Sequence, residues 1–166
     1  NDESDEQNRS ELTEIDEAYA KELQKKGYDG VVARRNGVNL WAIPFHPHQI
    51  KSATGNRGTY DPSDPDITKA DGGGVGKRKS AVQDRLYHGT VADITKFKMP
   101  KKSVGIWASR DPNVAHEYAT IAARGSGNPT IYPLHAHLKN PASEKEFSDA
   151  WDEAAKDSSR LGWDTH

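Results

Sequence analysis

Leu86-Tyr87-His88-Gly89-Thr90 sets an imidazole, a bare stretch of backbone and a hydroxyl side by side at the end of a short apolar run. An imidazole can accept or donate a hydrogen bond, a glycine lets a ligand amide approach the main chain closely, and the threonine adds a second polar handle. Gly105-Ile106-Trp107-Ala108-Ser109 and then Tyr118 follow. With Trp107 on a strand and Tyr118 on the next helix, two aromatic faces can line one slot, and such a slot accepts a flat heteroaromatic ring. On residue types alone the plainer reading is that these aromatics fill a core.

Two histidine pairs compete for attention. His46 and His48 flank a proline, and His135 and His137 share one face of a strand. Either pair offers two metal ligands, but neither has a carboxylate or thiolate partner at a site-forming spacing, so no metal is expected. There is no phosphate-binding glycine loop, dinucleotide fingerprint or nucleophile elbow.

The elements that must position these residues can be read from periodicity and punctuation. Residues 1–10 are polar and acidic and are expected to be a disordered tail. Ser10 caps a helix to about Lys26, with Leu12, Ile15, Tyr19 and Leu23 on one face and Gly27 as its stop. Strands follow at Tyr28–Ala33 and Val38–Phe45, joined by Asn36-Gly37, residues that accept the positive φ of a tight hairpin. Residues 51–66 read as loop and 70–84 as a flexible linker carrying Lys77-Arg78-Lys79, a solvated charge run. Further strands are expected at Arg85–His88, Val104–Ala108 and Thr130–Leu138. In the last of these, Tyr132, Leu134, Ala136 and Leu138 share a face. Asp111-Pro112 opens a helix to Ala123. Ser143 and Glu146 form a capping box for a last helix with a stripe of Phe147, Ala150, Trp151 and Ala154.

The 166 residues make about one domain, and 33% hydrophobic against 29% charged residues leaves room for a core with generous loops. A net charge of −2, from 23 basic and 25 acidic residues, gives no electrostatic case for a nucleic-acid or membrane partner. No cysteine is present, which excludes disulfides and thiolate metal sites. No run approaches membrane-spanning length, and a cytoplasmic setting is expected.

Tyr87-His88-Gly89-Thr90, the Gly105-Ile106-Trp107 strand and Tyr118 eleven residues after Trp107 together resemble the opening of the diphtheria-toxin and poly(ADP-ribose) polymerase branch of the ADP-ribosyltransferases. The versions embedded in polyvalent proteins of phages and other mobile elements are the most similar. Ile131–Pro141, with its Asn140-Pro141 corner, resembles the strand that comes next. Gly27-Tyr28-Asp29-Gly30-Val31-Val32 and Gln49-Ile50-Lys51-Ser52-Ala53-Thr54-Gly55-Asn56 are similar to the back of the same domain, so the two halves stand in swapped order. Residues 11–69 are then the C-terminal half and residues 85–166 the N-terminal half. A circular permutant, a slice through a tandem array and pairing of halves between chains would each give this order. One closed, permuted domain is the expectation, α+β, with a split antiparallel sheet and flanking helices.

The resemblance implies NAD+ as substrate and release of its nicotinamide. His88 would hold the nicotinamide ribose, Gly89 the carboxamide through its backbone, and Tyr118 would stack on the ring. Thr90 and Trp107 would complete the site. It further implies transfer of a single ADP-ribose to a host protein, in the host cytoplasm or in association with the virion. Self-association and a longer parent polyprotein are the other partners it suggests. The family glutamate falls eight residues before Gln49, at Trp41, and an indole cannot act as a carboxylate. Trp41 reads equally well as a packed strand residue; Gln49 and Glu117 are alternatives for the missing group. A non-catalytic transferase fold serving as a structural or binding module therefore stands beside the active enzyme.

Overall fold

The structure is a computed structural model that describes residues 18–54, 66, 68, 80–98, 105–125 and 127–160, and of residues 157–160 the backbone only. The acidic tail, Leu12, Ile15, most of the 51–66 loop and the basic triplet at 77–79 lie outside the described residues.

Asn36 and Gly37 take φ of 52° and 78°, the turn that their residue types favour, and they fold β1 (Gly30–Arg35) back on β2 (Val38–Pro44). The pairing runs antiparallel from Gly30↔Pro44 to Arg35↔Val38, with a bulge at Ala33/Arg34. A short 3-10 turn, Pro47–Gln49, leads into β3 (Ile50–Ser52). The remaining strands are β4 (Leu86–Thr90), β5 (Ala108–Ser109), β6 (Thr130–Ala136) and β7 (Ala142–Ser143). Among the described residues they form one seven-stranded sheet in the order β3-β6-β4-β5-β2-β1-β7, antiparallel except for the parallel β1–β7 pair.

Strands from the two sequence halves are interleaved in that order, which crosses between the halves three times. The contacts β3–β6, β5–β2 and β1–β7 each join a strand before residue 69 to one after residue 85. Both halves thus belong to one α+β unit, as the sequence predicts. The sheet is narrow at its middle, where β5 meets β4 through the single pair Tyr87↔Ser109.

The strand expected at Val104–Ala108 is displaced to Ala108–Ser109. The reason lies in which carbonyls are already taken. Ile106 N–H donates to Pro44 O at 3.1 Å, while the Trp107 carbonyl accepts from the His88 ring, so neither residue enters a ladder. Among the described residues of the expected linker, Ala81 N–H donates to Leu138 O and Ser80 Oγ to Ala136 O, while Val82 is buried.

Among the described residues three helices flank the sheet. The first, α1, is described over residues 18–25; it lays Tyr19 and Leu23 against Val31, Ile43 and Phe45. α2 (Pro112–Ala123) is capped by Asp111, whose side chain accepts from Asn113 N–H, and ends at Arg124 in the left-handed region. α3 (Glu144–Arg160) packs Phe147, Ala150, Trp151 and Ala154 on the α1 cluster, with the Tyr19 and Phe147 rings edge to face at 4.9 Å. The expected stripe is the face that packs.

Glu146 ties α3 to the rest. Its carboxylate accepts from the Tyr28 hydroxyl and from both the backbone N–H and hydroxyl of Ser143. Those bonds, Tyr28's first, pull its pKa from 4.5 down to about 2. Because the folded value is the lower one, the unfolded chain takes up the proton first on acidification. The stabilisation is complete above pH 4.5 and is lost as pH falls toward 2. Glu146→Gln is expected to lower stability at neutral pH by about 1 kcal/mol, the usual worth of a cap. Thermal melts of the two proteins should converge across that acidic window; a difference that stays constant with pH would refute the assignment.

Candidate functional site

The sheet register builds the floor of a cleft. Trp41 pairs with Ser109, and Ser109 with Tyr87, so three neighbouring strands present these side chains on one face. Gly89 lies two residues along β4 on that same face. A Cβ there would stand 1.7 Å from the Ala115 carbonyl oxygen, so the missing side chain is what lets α2 lie directly on the strand. Ala115, Ala119 and Ala123 make the buried face of the helix small enough for this contact.

That close packing brings Val114 and Tyr118 of α2 to the cleft, which Trp107 also lines. The cleft is about 330 Å³ in volume and is lined by Trp41, Tyr87, His88, Gly89, Trp107, Ala108, Ser109, Val114, Ala115 and Tyr118. Trp107 and Tyr118 are 45% and 63% exposed, so they face water and are not core residues. Trp41 is held from two sides, its ring 5.1 Å from Trp107 and 6.2 Å from Phe147 of α3.

His88 is fixed by two contacts. Its Nδ1 lies 2.7 Å from the Trp107 carbonyl oxygen, and its ring meets Phe97 edge-on at 5.2 Å. A carbonyl only accepts, so Nδ1 carries the proton and Nε2 is the acceptor of the neutral ring. Burial lowers the His88 pKa below the ordinary 6.5, against the raising effect of the Trp107 hydrogen bond. The imidazole is therefore neutral at pH 7. His88 and Trp107 also border an adjoining cleft of about 500 Å³ that carries Asp93, Lys96 and Lys98.

Of the residues singled out from sequence, His88, Gly89, Trp107 and Tyr118 converge on one cleft. Thr90 does not line it; its hydroxyl accepts from Ala92 N–H at the end of β4. Gln49 is buried away from the cleft, with its amide donating to Asp29 O and accepting from His46 N–H, and so it pins the turn before β3. Glu117 is exposed on α2 and is not a lining residue. Among the described residues, none that lines the cleft carries a carboxylate.

Tyr87, Ser109, Val114 and Ala115 were not anticipated as lining residues. The spacing of Tyr87 two before Gly89 and the helix face shared by Val114 and Tyr118 were the available signals. The His46 and His48 rings stack 5.4 Å apart, and among the described residues no group of three or more His, Asp or Glu converges on a metal-sized site. Among the described residues no helix is long and apolar enough to cross a membrane.

A family model described as ADP-ribosyltransferase in polyvalent proteins matches residues 1–60 and 83–164. No curated protein and no solved structure matches the chain.

Proposed function

The chain belongs to the ADP-ribosyltransferase family of polyvalent proteins, and from that premise we propose that its cleft takes the nicotinamide ribose of NAD+ and that the chain transfers a single ADP-ribose to a host macromolecule. The observation that carries the reading is the convergence of His88, Gly89, Trp107 and Tyr118 on one cleft, two of them exposed aromatics. A volume of about 330 Å³ suits a flat ring with part of its sugar. His88 Nε2 accepts a hydrogen bond from a ribose hydroxyl. Past Tyr87, β5 offers β4 no further partner, which leaves main chain near Gly89 for the carboxamide. The diphosphate extends toward Lys96 and Lys98 in the adjoining cleft.

In the reaction the bond between ribose C1′ and the pyridinium nitrogen breaks. Nicotinamide leaves with the bonding pair, and an acceptor nucleophile bonds to C1′. The chain contributes orientation of the ribose and exclusion of water by the aromatic walls. A phage source and a protein acceptor in the host cytoplasm or virion belong to the same proposal. One observation favours a second reading, an NAD+-binding module without turnover: among the described residues Trp41 stands in the cleft and no carboxylate does.

Calorimetry with NAD+, run beside a glycohydrolase assay, separates the two. Tyr118→Ala is expected to weaken NAD+ up to about tenfold, the worth of one aromatic stack, while the melting temperature barely moves because the side chain is 63% exposed. No binding by the wild type, or equal binding by both proteins, would overturn the cleft as the NAD+ site. His88→Ala should abolish any turnover. A pH series makes a further prediction. Any loss of affinity on acidification should be centred below pH 6.5, because the lowered His88 pKa delays a cation beside the cationic ring. A loss centred at or above pH 6.5 would remove His88 from the site.

A further inference from the structure

The β4–β6 register pairs His88 with Tyr132, which puts both side chains on one face of the sheet. The Tyr132 hydroxyl accepts from Ile94 N–H at 2.9 Å, and its own proton has the Ala92 carbonyl at 3.2 Å and the Asp93 carboxylate at 3.3 Å. One phenol thus gathers Ala92, Asp93 and Ile94 of the segment that leaves β4. A second anchor stands further along, the bridge Asp66↔Lys96. Phe97 comes directly after it and is buried with Ile50, Ile106 and Leu134, and Ile94 and Tyr132 pack against that cluster. From this seat the Phe97 ring meets the imidazole at 5.2 Å with the planes 81° apart.

The Trp107 carbonyl holds one nitrogen of His88, but a single hydrogen bond leaves a ring room to turn. The Phe97 wall removes that room, provided that its own segment stays in place. Tyr132 lines neither cleft, so its bearing on the site runs through this segment. We propose that Tyr132 is a positioning residue for His88: its hydroxyl pins residues 92–94, the pinned segment seats Phe97, and Phe97 keeps the imidazole with its proton on Nδ1 and Nε2 as the acceptor. What Nε2 then receives rests on the nicotinamide-ribose reading, whereas the tautomer is a property of the free protein.

Two measurements on the whole chain test this, the imidazole nitrogen shifts of neutral His88 by NMR and calorimetry with NAD+. The wild type is expected to carry the proton on Nδ1. Tyr132→Phe removes the hydroxyl and keeps the ring, and Phe97→Leu keeps the burial and removes the aromatic wall. Each should shift the tautomer toward Nε2–H, and Tyr132→Phe should weaken NAD+ by about threefold to tenfold, the worth of one hydrogen bond. Tyr28→Phe is the control: it deletes a comparable hydroxyl contact, that to Glu146 of α3, and should lower the melting temperature without moving the His88 signals. A wild-type proton on Nε2 overturns the proposal whether or not a variant folds. So does a tautomer that survives Tyr132→Phe or Phe97→Leu, or one that Tyr28→Phe shifts equally. A tautomer shift in Tyr132→Phe with unchanged NAD+ affinity would uphold the positioning role and remove His88 from the NAD+ site.

Discussion

Trp41→Glu is expected to raise NAD+ turnover by about two to three orders of magnitude, from a slow or undetectable baseline. Trp41 lines the same cleft as His88 and Tyr118, so a carboxylate there would face the ribose on which positive charge develops. A well-placed charged partner in a desolvated site lowers the barrier by about 2–4 kcal/mol, and each 1.4 kcal/mol is about tenfold in rate. The structural cost works against the gain. Glutamate forgoes the ring contacts with Trp107 and Phe147. Trp41 is only half-buried and opens on the cleft, so in the free protein the carboxylate can stay hydrated and the loss should remain about 2 kcal/mol; bound NAD+ then displaces that water. Rate and melting temperature must be measured together. A folded variant with unchanged turnover would show that the site lacks more than one group, and would favour the non-catalytic reading.

Gly89→Ala should damage fold and site at once. The added Cβ would fall 1.7 Å from the Ala115 carbonyl oxygen, and that atom is helix backbone, which cannot swing aside as a flexible side chain can. α2 would have to lift along its contact with β4, carrying Val114 and Tyr118 away from the cleft. Overpacking of this kind costs about 1–3 kcal/mol and more when backbone must move, so a loss at or beyond the upper end is expected. Gly125 offers a control: it takes φ of 79° at the end of α2, and a Cβ added there would meet nothing within 4 Å, so Gly125→Ala strains only the local turn. Chemical denaturation of the three proteins checks the order. A Gly89→Ala variant as stable as wild type would mean that the helix does not sit on the strand as described.

Much of the architecture was legible because it rests on local chemistry. Asn36-Gly37 marks the hairpin turn by its tolerance of positive φ, and Asp111-Pro112 fixes the start of α2 through a side-chain cap and a proline with no N–H to lose. The stripe of Phe147, Ala150, Trp151 and Ala154 predicts the buried face of α3 from helical period alone. The motif residues His88, Gly89, Trp107 and Tyr118 were also legible in the sequence, through residue types, spacing and family resemblance.

What tertiary structure decided is which of these local pieces meet. Strand propensity around Gly105–Ser109 could not reveal that His88 takes the Trp107 carbonyl, a contact across 19 positions that shortens β5 to two residues. Nor could it show that Thr90 turns to its own loop, or that Gln49 is occupied by Asp29 and His46. Trp41 could be read as packing or as a replaced acid, and pattern alone leaves both open because a half-buried indole serves either. The register Trp41↔Ser109↔Tyr87 places it in the cleft, since pairing across strands, not order along the chain, determines which side chains share a face. Sequence set the turns, caps and apolar stripes, which are properties of neighbouring residues. The site is a property of long-range pairing between two halves of the chain, and only the assembled sheet creates it.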